Sequence, residues 1–204
     1  MRSRGTAQKR AAPQLYVSHR NEGYYLTSAA IALNDIALAR VKVSRFADLN
    51  DPFELLAANI VGTEVRDMFE GLKRYWNDAL GMICFSRKWS NPLLWGHYAD
   101  KHTGIALGFE VPEEDLIQVA YKSRRVRINF EPSTKTYHLK KKGELAELLV
   151  TKFSDWKYEE EWRMLVKLHL ATRESGLYFV DFSERFRLKE VILGPRCELS
   201  ISKA

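Results

Sequence analysis

Apolar residues recur along the chain with two periods, and these divide it into helices and strands. Val65, Met68, Phe69, Leu72, Tyr75, Trp76 and Ala79 return every three or four positions, which predicts an amphipathic helix over roughly Glu64–Leu80. Trp162, Met164, Val166, Leu168 and Leu170 alternate, which predicts a strand over Glu160–Leu170 with Trp162 turned to the core. Shorter strands are expected at Leu15–Ser18, Ala37–Ser44, Met82–Ser86, Ile105–Phe109, Tyr178–Phe182 and Val191–Leu193. The strands Met82–Ser86, Ile105–Phe109 and Glu160–Leu170 should share one sheet, because an apolar strand face needs a partner surface. Capping residues place the other helices. Thr27 caps a helix over Ser28–Asn34 with Ile31 on its buried side, Asn50-Asp51-Pro52 starts a second, and Asn91-Pro92 opens a third through Lys101 that Gly104 closes. Leu145, Leu148, Leu149 and Phe153 suggest one more. Helices and strands mix without regular βαβ alternation and no repeat is visible. The fold class is therefore α+β, a single domain with a mixed or antiparallel sheet core and flanking helices.

Composition narrows the class further. A chain of 204 residues with 46% hydrophobic and 28% charged residues has the material for one packed core. Its longest apolar runs are a few residues, far short of a membrane span of ~20, and the start of the chain lacks the apolar stretch of a secretory signal. Two cysteines cannot build a disulfide framework. A cytoplasmic protein without membrane contact is the expectation. The net charge of +6 is concentrated: Arg2, Arg4, Lys9 and Arg10 carry +4 of it without an acid among residues 1–14. That segment reads as a basic flexible tail, whose deletion should not affect folding, and residues 15–204 as the globular domain. A second basic stretch, residues 121–142, sets eight Lys and Arg against Glu131 alone. It is either a solvated face or a contact for an anion or nucleic acid.

Common mechanistic motifs are missing: the sequence has no dinucleotide-binding glycine fingerprint, phosphate loop, zinc-protease helix, serine-hydrolase elbow or paired-cysteine motif. Three regions of unusual composition remain. Asn50-Asp51-Pro52-Phe53-Glu54 is a helix start whose free N–H groups can also meet a phosphate. Cys84-Phe85-Ser86 is followed by Trp95-Gly96-His97-Tyr98-Ala99; Cys84 reads as a buried structural thiol, and Gly96 within a helix suggests close approach of a backbone or ligand. In Trp156-Lys157-Tyr158-Glu159-Glu160-Glu161-Trp162-Arg163, the strand reading puts Glu159, Glu161 and Arg163 on the face opposite Trp162. That row is either a set of surface ion pairs or a group over a cleft that grips sugar hydroxyls and steadies a cationic transition state.

Together these three blocks, with Leu94 and Gly104, resemble the bacterial domain-of-unknown-function family two-nine-seven-one, over about Leu15 to Cys197. That resemblance brings a weaker similarity to ADP-ribosyltransferase-type toxins and phage-defence effectors. It implies NAD as substrate and a transferase fold. In this sequence Tyr16 or His19 would contact NAD from a first strand, and Ser44, or Ser86 with Tyr98, would serve from a later one. Glu161 would be the catalytic carboxylate with Glu159 beside it. Trp95 and Arg163 complete the implied NAD-binding set, and no metal is needed. The implied partners are a protein or nucleic-acid acceptor along residues 121–142 and an antitoxin or defence-system component. Two other readings stand beside it: a nucleic-acid-binding defence or regulatory module without activity, and a metal-dependent nuclease built on Asp51, Glu54, Glu159 and Glu161.

Overall fold

A computed structural model describes residues 20–49, 58–59, 63–124, 126–127, 130–131, 136–137, 147 and 149–199. The tail, the strand expected at Leu15–Ser18, the motif 50–54 and much of the basic stretch 121–142 lie outside the described residues. The chain is α+β. Among the described residues nine strands form one sheet: β1 Arg20–Thr27, β2 Arg40–Arg45, β3 Leu80–Ser86, β4 Ile105–Pro112, β5 Ile117–Gln118, β6 Glu161–Lys167, β7 Thr172–Glu174, β8 Leu177–Asp181 and β9 Arg187–Leu193. All their pairings are antiparallel, in the order β7-β8-β2-β3-β1-β4-β9, with β6 on β3 and β5 on β6. The three strands expected to share a sheet, now β3, β4 and β6, do so.

Strand β3 is the fork of this sheet. Along one edge it pairs with β6 over seven residues, from Glu161↔Ser86 to Lys167↔Leu80. Along the other it meets β2 only at Ser44↔Met82 and Arg45↔Gly81, and β1 only at Tyr24↔Ser86. The register partners on that side therefore skip Ile83, Cys84 and Phe85, and β1 and β2 part company there.

One face of the sheet is packed with Val41, Val43, Ile83, Phe85, Ile105, Leu107 and Phe109. Phe109 stacks on Phe186 with centroids 4.3 Å apart, and Phe85 meets both edge-on. The helix α2, Thr63–Ala79, covers part of the other face: Trp76 and Leu72 pack with Phe46, Met82 and Leu149. Tyr75, expected on its apolar face, is exposed. The helix α1, Ala29–Ala37, is capped by Ser28, whose hydroxyl accepts from the Ile31 N–H, and not by Thr27. Its inward positions are Ala32 and Asp35, while Ile31 is exposed. Both the cap and the inward positions lie one residue further along the chain than expected.

The helix α3, Pro92–Tyr98, starts as expected: the Asn91 side chain accepts from Leu93 N–H, and Pro92 occupies the first turn. It stops before Lys101 because Asp100, Lys101 and His102 all adopt left-handed φ values of 46°, 53° and 76°. The Gly104 N–H donates to the Ala99 carbonyl and closes this turn. A Cβ on Gly104 would stand 2.2 Å from the Thr27 carbonyl oxygen, so the turn is pressed onto the end of β1. Gly96 has no such neighbour; a Cβ there meets only the His102 ring at 3.7 Å. Strand β6 is shorter than expected, since Leu168–Leu170 is a 3-10 turn with Leu170 exposed. The run expected to be helical through Phe153 turns into a short strand, Thr151–Phe153, which pairs in parallel with Ala120–Lys122.

Two outcomes test this packing. Gly104→Ala should lower stability by about 1–3 kcal/mol or more, because backbone atoms cannot yield to the new methyl; an unchanged urea midpoint would refute the contact. Asp35 is nearly fully buried, with Oδ2 lacking a hydrogen-bond partner. Burial pushes its carboxyl up to about 7 against the pull of Arg40. The unfolded chain then releases this proton first, so Asp35 costs stability progressively as pH rises from about 4 to about 7. Asp35→Asn should raise stability by roughly 1–4 kcal/mol at pH 8, and the gain should vanish near pH 4. Urea unfolding at both pH values measures it, and equal stability of the two proteins at pH 8 would show the carboxylate is not desolvated.

Candidate functional site

At the fork of the sheet lies a cavity of about 200 Å³, lined by Tyr24, Tyr25, Leu26, Ser44, Asp48, Leu49, Cys84, Phe85, Ser86, Leu94, Tyr98, Lys152, Glu159, Glu161 and Arg163. The register explains its polar wall. Glu161 lies opposite Ser86 and Arg163 opposite Cys84, so these four side chains leave the same face of two adjacent strands. Tyr24, opposite Ser86, and Ser44, opposite Met82, add to that face from the two arms of the fork.

Both faces of β6 are covered: Trp162 lies opposite Phe85 and Met164 opposite Ile83, so the apolar row faces the Phe85 core as expected, and Met164 and Val166 pack there. Glu161 and Arg163 are the buried residues, while Trp162 is half-buried on the other face, its indole N–H without a partner and Arg87 over its ring at 5.6 Å. Alternation shows that the apolar face is inside but not that the opposite face is buried as well. Here the charged face is also buried, because its charges satisfy one another. Glu159 reaches the same place by another route: it ends a 3-10 turn, Ser154–Glu159, and Glu160 then takes a left-handed φ of 45° that redirects the chain into β6.

Four charges meet at the cavity wall, each nearly fully buried: Lys152, Glu159, Glu161 and Arg163. The Lys152 ammonium donates to Glu159 Oε2 at 2.5 Å and to Glu161 Oε2 at 3.1 Å. Arg163 donates from Nε to Glu161 Oε1 at 2.7 Å, from Nη2 to Oε2 at 3.3 Å, and from Nη1 to the Leu149 carbonyl at 2.6 Å. The Tyr98 hydroxyl donates to Glu159 Oε1 at 2.5 Å. The Tyr121 hydroxyl accepts from the Glu161 N–H, and Ser86 donates to the Glu159 carbonyl at 2.6 Å. Two anions and two cations leave this group formally neutral.

Its members differ in proton affinity. Burial works against the charge on Glu161, but Arg163 and Lys152 outweigh it and hold the carboxyl down at about 2. For Glu159, burial wins over Lys152 and raises the carboxyl above its ordinary value. Burial also raises the Tyr98 phenol and the Cys84 thiol, the latter with help from Glu161, so both stay protonated. Glu161 is thus a fixed anion, and Glu159 the carboxylate more ready to take a proton. Cys84 lines the cavity but is no thiolate.

Of the residues implied by the sequence, Ser44, Ser86, Tyr98, Glu159, Glu161 and Arg163 all line this cavity. Trp95 does not: it is buried against Ala99 and Ala106, and its indole donates to the Trp89 carbonyl. Tyr16, His19, Asp51 and Glu54 lie outside the described residues. Among the described residues no three acidic, histidine or cysteine side chains gather as metal ligands, and no helix is long and apolar enough to cross a membrane. Sequence reasoning missed Lys152, Tyr24 and Tyr25. Lys152 had a signal, a lone cation within the apolar run Leu148–Phe153.

The buried pairing changes what substitutions should do. Glu161→Gln would leave Arg163 and Lys152 short of one counter-charge, so it should cost about 3–5 kcal/mol and not the small loss of a surface pair. Because the folded Glu161 carboxyl sits near 2 against an ordinary 4.5, its contribution is complete above pH 4.5 and is lost as pH falls toward 2. Urea unfolding between pH 2 and 7 should show this acid limb in the wild type and its absence in Glu161→Gln. A variant as stable as wild type at pH 7 would refute the buried pairing.

No curated protein and no solved structure matches the chain significantly. The matched family segment begins within α3 and ends within β6, and so spans Tyr98, Lys152, Glu159, Glu161 and Arg163. Over residues 94–164 the chain matches the family described as "Protein of unknown function (DUF2971)", which bears out the family resemblance along that stretch.

Proposed function

We propose that the cavity is the active site of an NAD-cleaving, ADP-ribosyltransferase-like enzyme, and that the forked sheet is a transferase-like fold. The observation that carries this reading is convergence: six residues implied for such a site from separate parts of the sequence line one cavity. Its volume, about 200 Å³, is below the ~300–1,000 Å³ of most small-molecule pockets. It suits nicotinamide with its ribose, and the remainder of the dinucleotide lies outside.

In this reading the bond between ribose C1′ and the nicotinamide nitrogen breaks, and nicotinamide leaves neutral with the bonding electron pair. Positive charge develops on the ribose. Glu161, kept ionised by Arg163 and Lys152, stabilises that charge from a fixed position. Glu159, with its higher proton affinity and the Tyr98 hydroxyl holding one oxygen, takes the proton of the attacking water or acceptor hydroxyl as the new C1′–O bond forms. Lys152 keeps the two carboxylates together without letting both share a proton. The two other readings gain no comparable support. Cations already occupy the oxygens that a nuclease metal would need on Glu159 and Glu161, and no described feature singles out a nucleic-acid surface on its own.

The test is release of nicotinamide from NAD by the purified chain, with and without cell extract as a source of acceptor. Tyr98→Phe keeps the ring and removes the hydroxyl that orients Glu159; it should slow transfer to an acceptor by ~10- to 100-fold with the fold intact. Glu159→Gln should affect transfer to an acceptor more than release itself. Absence of nicotinamide release by the wild type, or full transfer activity in Tyr98→Phe, would end this assignment.

A further inference from the structure

Outside the cavity, three rings form a closed triangle: His97 and Trp156 with centroids 5.9 Å apart, His97 and Tyr158 at 6.3 Å, and Trp156 and Tyr158 at 6.0 Å. His97 is exposed, and Trp156 and Tyr158 are half-buried. None of the three lines the cavity. Each is nonetheless tied to it. His97 is followed on α3 by Tyr98, and Tyr158 is followed in the 3-10 turn by Glu159, and Tyr98 and Glu159 are hydrogen-bonded to each other in the cavity wall. At both places one chain step, about 3.8 Å between Cα atoms, separates an outer ring from an inner functional group. Trp156 is linked directly: the Lys152 ammonium that joins the two carboxylates lies 4.8 Å from the centre of its ring.

We propose that His97, Trp156 and Tyr158 form a stacking platform for a purine base, beside the cavity and separate from it. The chemistry follows from what the platform offers. His97 meets Trp156 edge-on at 62° and lies within 29° of parallel to Tyr158, and such a cluster with one exposed ring favours a flat, polarisable ring over an aliphatic or charged group. A base is also the part of a nucleotide that a cavity of this size leaves outside. The base belongs either to the dinucleotide itself or to an acceptor strand, and both sources share this recognition. The platform does not require that NAD be cleaved.

Calorimetric titration of the full chain with AMP, ADP-ribose and a short single-stranded oligo-dA tests the platform. Trp156→Ala should weaken purine binding about tenfold or more, His97→Ala several-fold, and Tyr158→Phe, which keeps the ring, should bind as wild type. His97 is exposed, so its variant decides the matter even where Trp156→Ala perturbs folding. Binding of AMP and ADP-ribose assigns the site to the dinucleotide. Binding of oligo-dA alone, falling steeply with salt, assigns it to a nucleic-acid strand. No purine binding by the wild type, or binding unchanged in both alanine variants, overturns the proposal. A chain that binds AMP here yet leaves NAD intact keeps the platform and loses the enzymatic reading.

Discussion

The structure around the cavity depends on burying two carboxylates beside two cations. An isolated charge moved from water to a protein interior costs several kcal/mol even after relaxation. Lys152, Glu159, Glu161 and Arg163 meet that cost only as a set, with the Tyr98 hydroxyl and the Leu149 carbonyl completing the hydrogen bonds. The requirement fixes much of what surrounds them. It keeps the charged face of β6 buried, opposite the face that carries Trp162 and Met164, and pins the strand Thr151–Phe153 and the 3-10 turn after it against the end of β3.

The fork in the sheet gives this charge cluster somewhere to act. A fully paired β3 would have no gap between its neighbours, and the same four side chains would be a sealed structural knot. Because β1 and β2 diverge, the cluster borders open volume, with the Tyr24 and Ser44 side chains on the two arms. The charge cluster with Tyr98 falls within the family match, which runs from α3 to β6, while the fork strands β1, β2 and β3 precede it.

Much of this was legible in the sequence, and the misses have physical causes. Fully apolar strands such as Ile105–Phe109 announce themselves, as does the Asn91-Pro92 cap. Strand β1 does not, because Arg20, Asn21 and Glu22 disguise its first half and its pairing with β4 supplies what local preference lacks. Period two identified the face shared by Glu161 and Arg163 correctly, but that this face is buried as well depends on Lys152, Tyr98 and Leu149, which are distant in sequence or unremarkable in type. Glu159 was placed on that face for a reason that does not hold, since it precedes the strand; the left-handed Glu160 brings it there. The extent of α3 was overread because no sequence rule foretells three successive left-handed residues without glycine.

The order of strands also has a consequence for synthesis. Strand β1 is made well before its main partner, β4, with which its register pairs run from Arg20↔Pro112 to Thr27↔Ile105. Some eighty residues must be translated before that partner exists, roughly 4–16 s at ~5–20 residues per second. Throughout that interval the edges of β1 are open to pairing with other nascent chains. Its charged first half, with Arg20 and Glu22, is the kind of sequence that discourages such encounters, so the polarity that hid this strand from pattern reading also protects it on the ribosome.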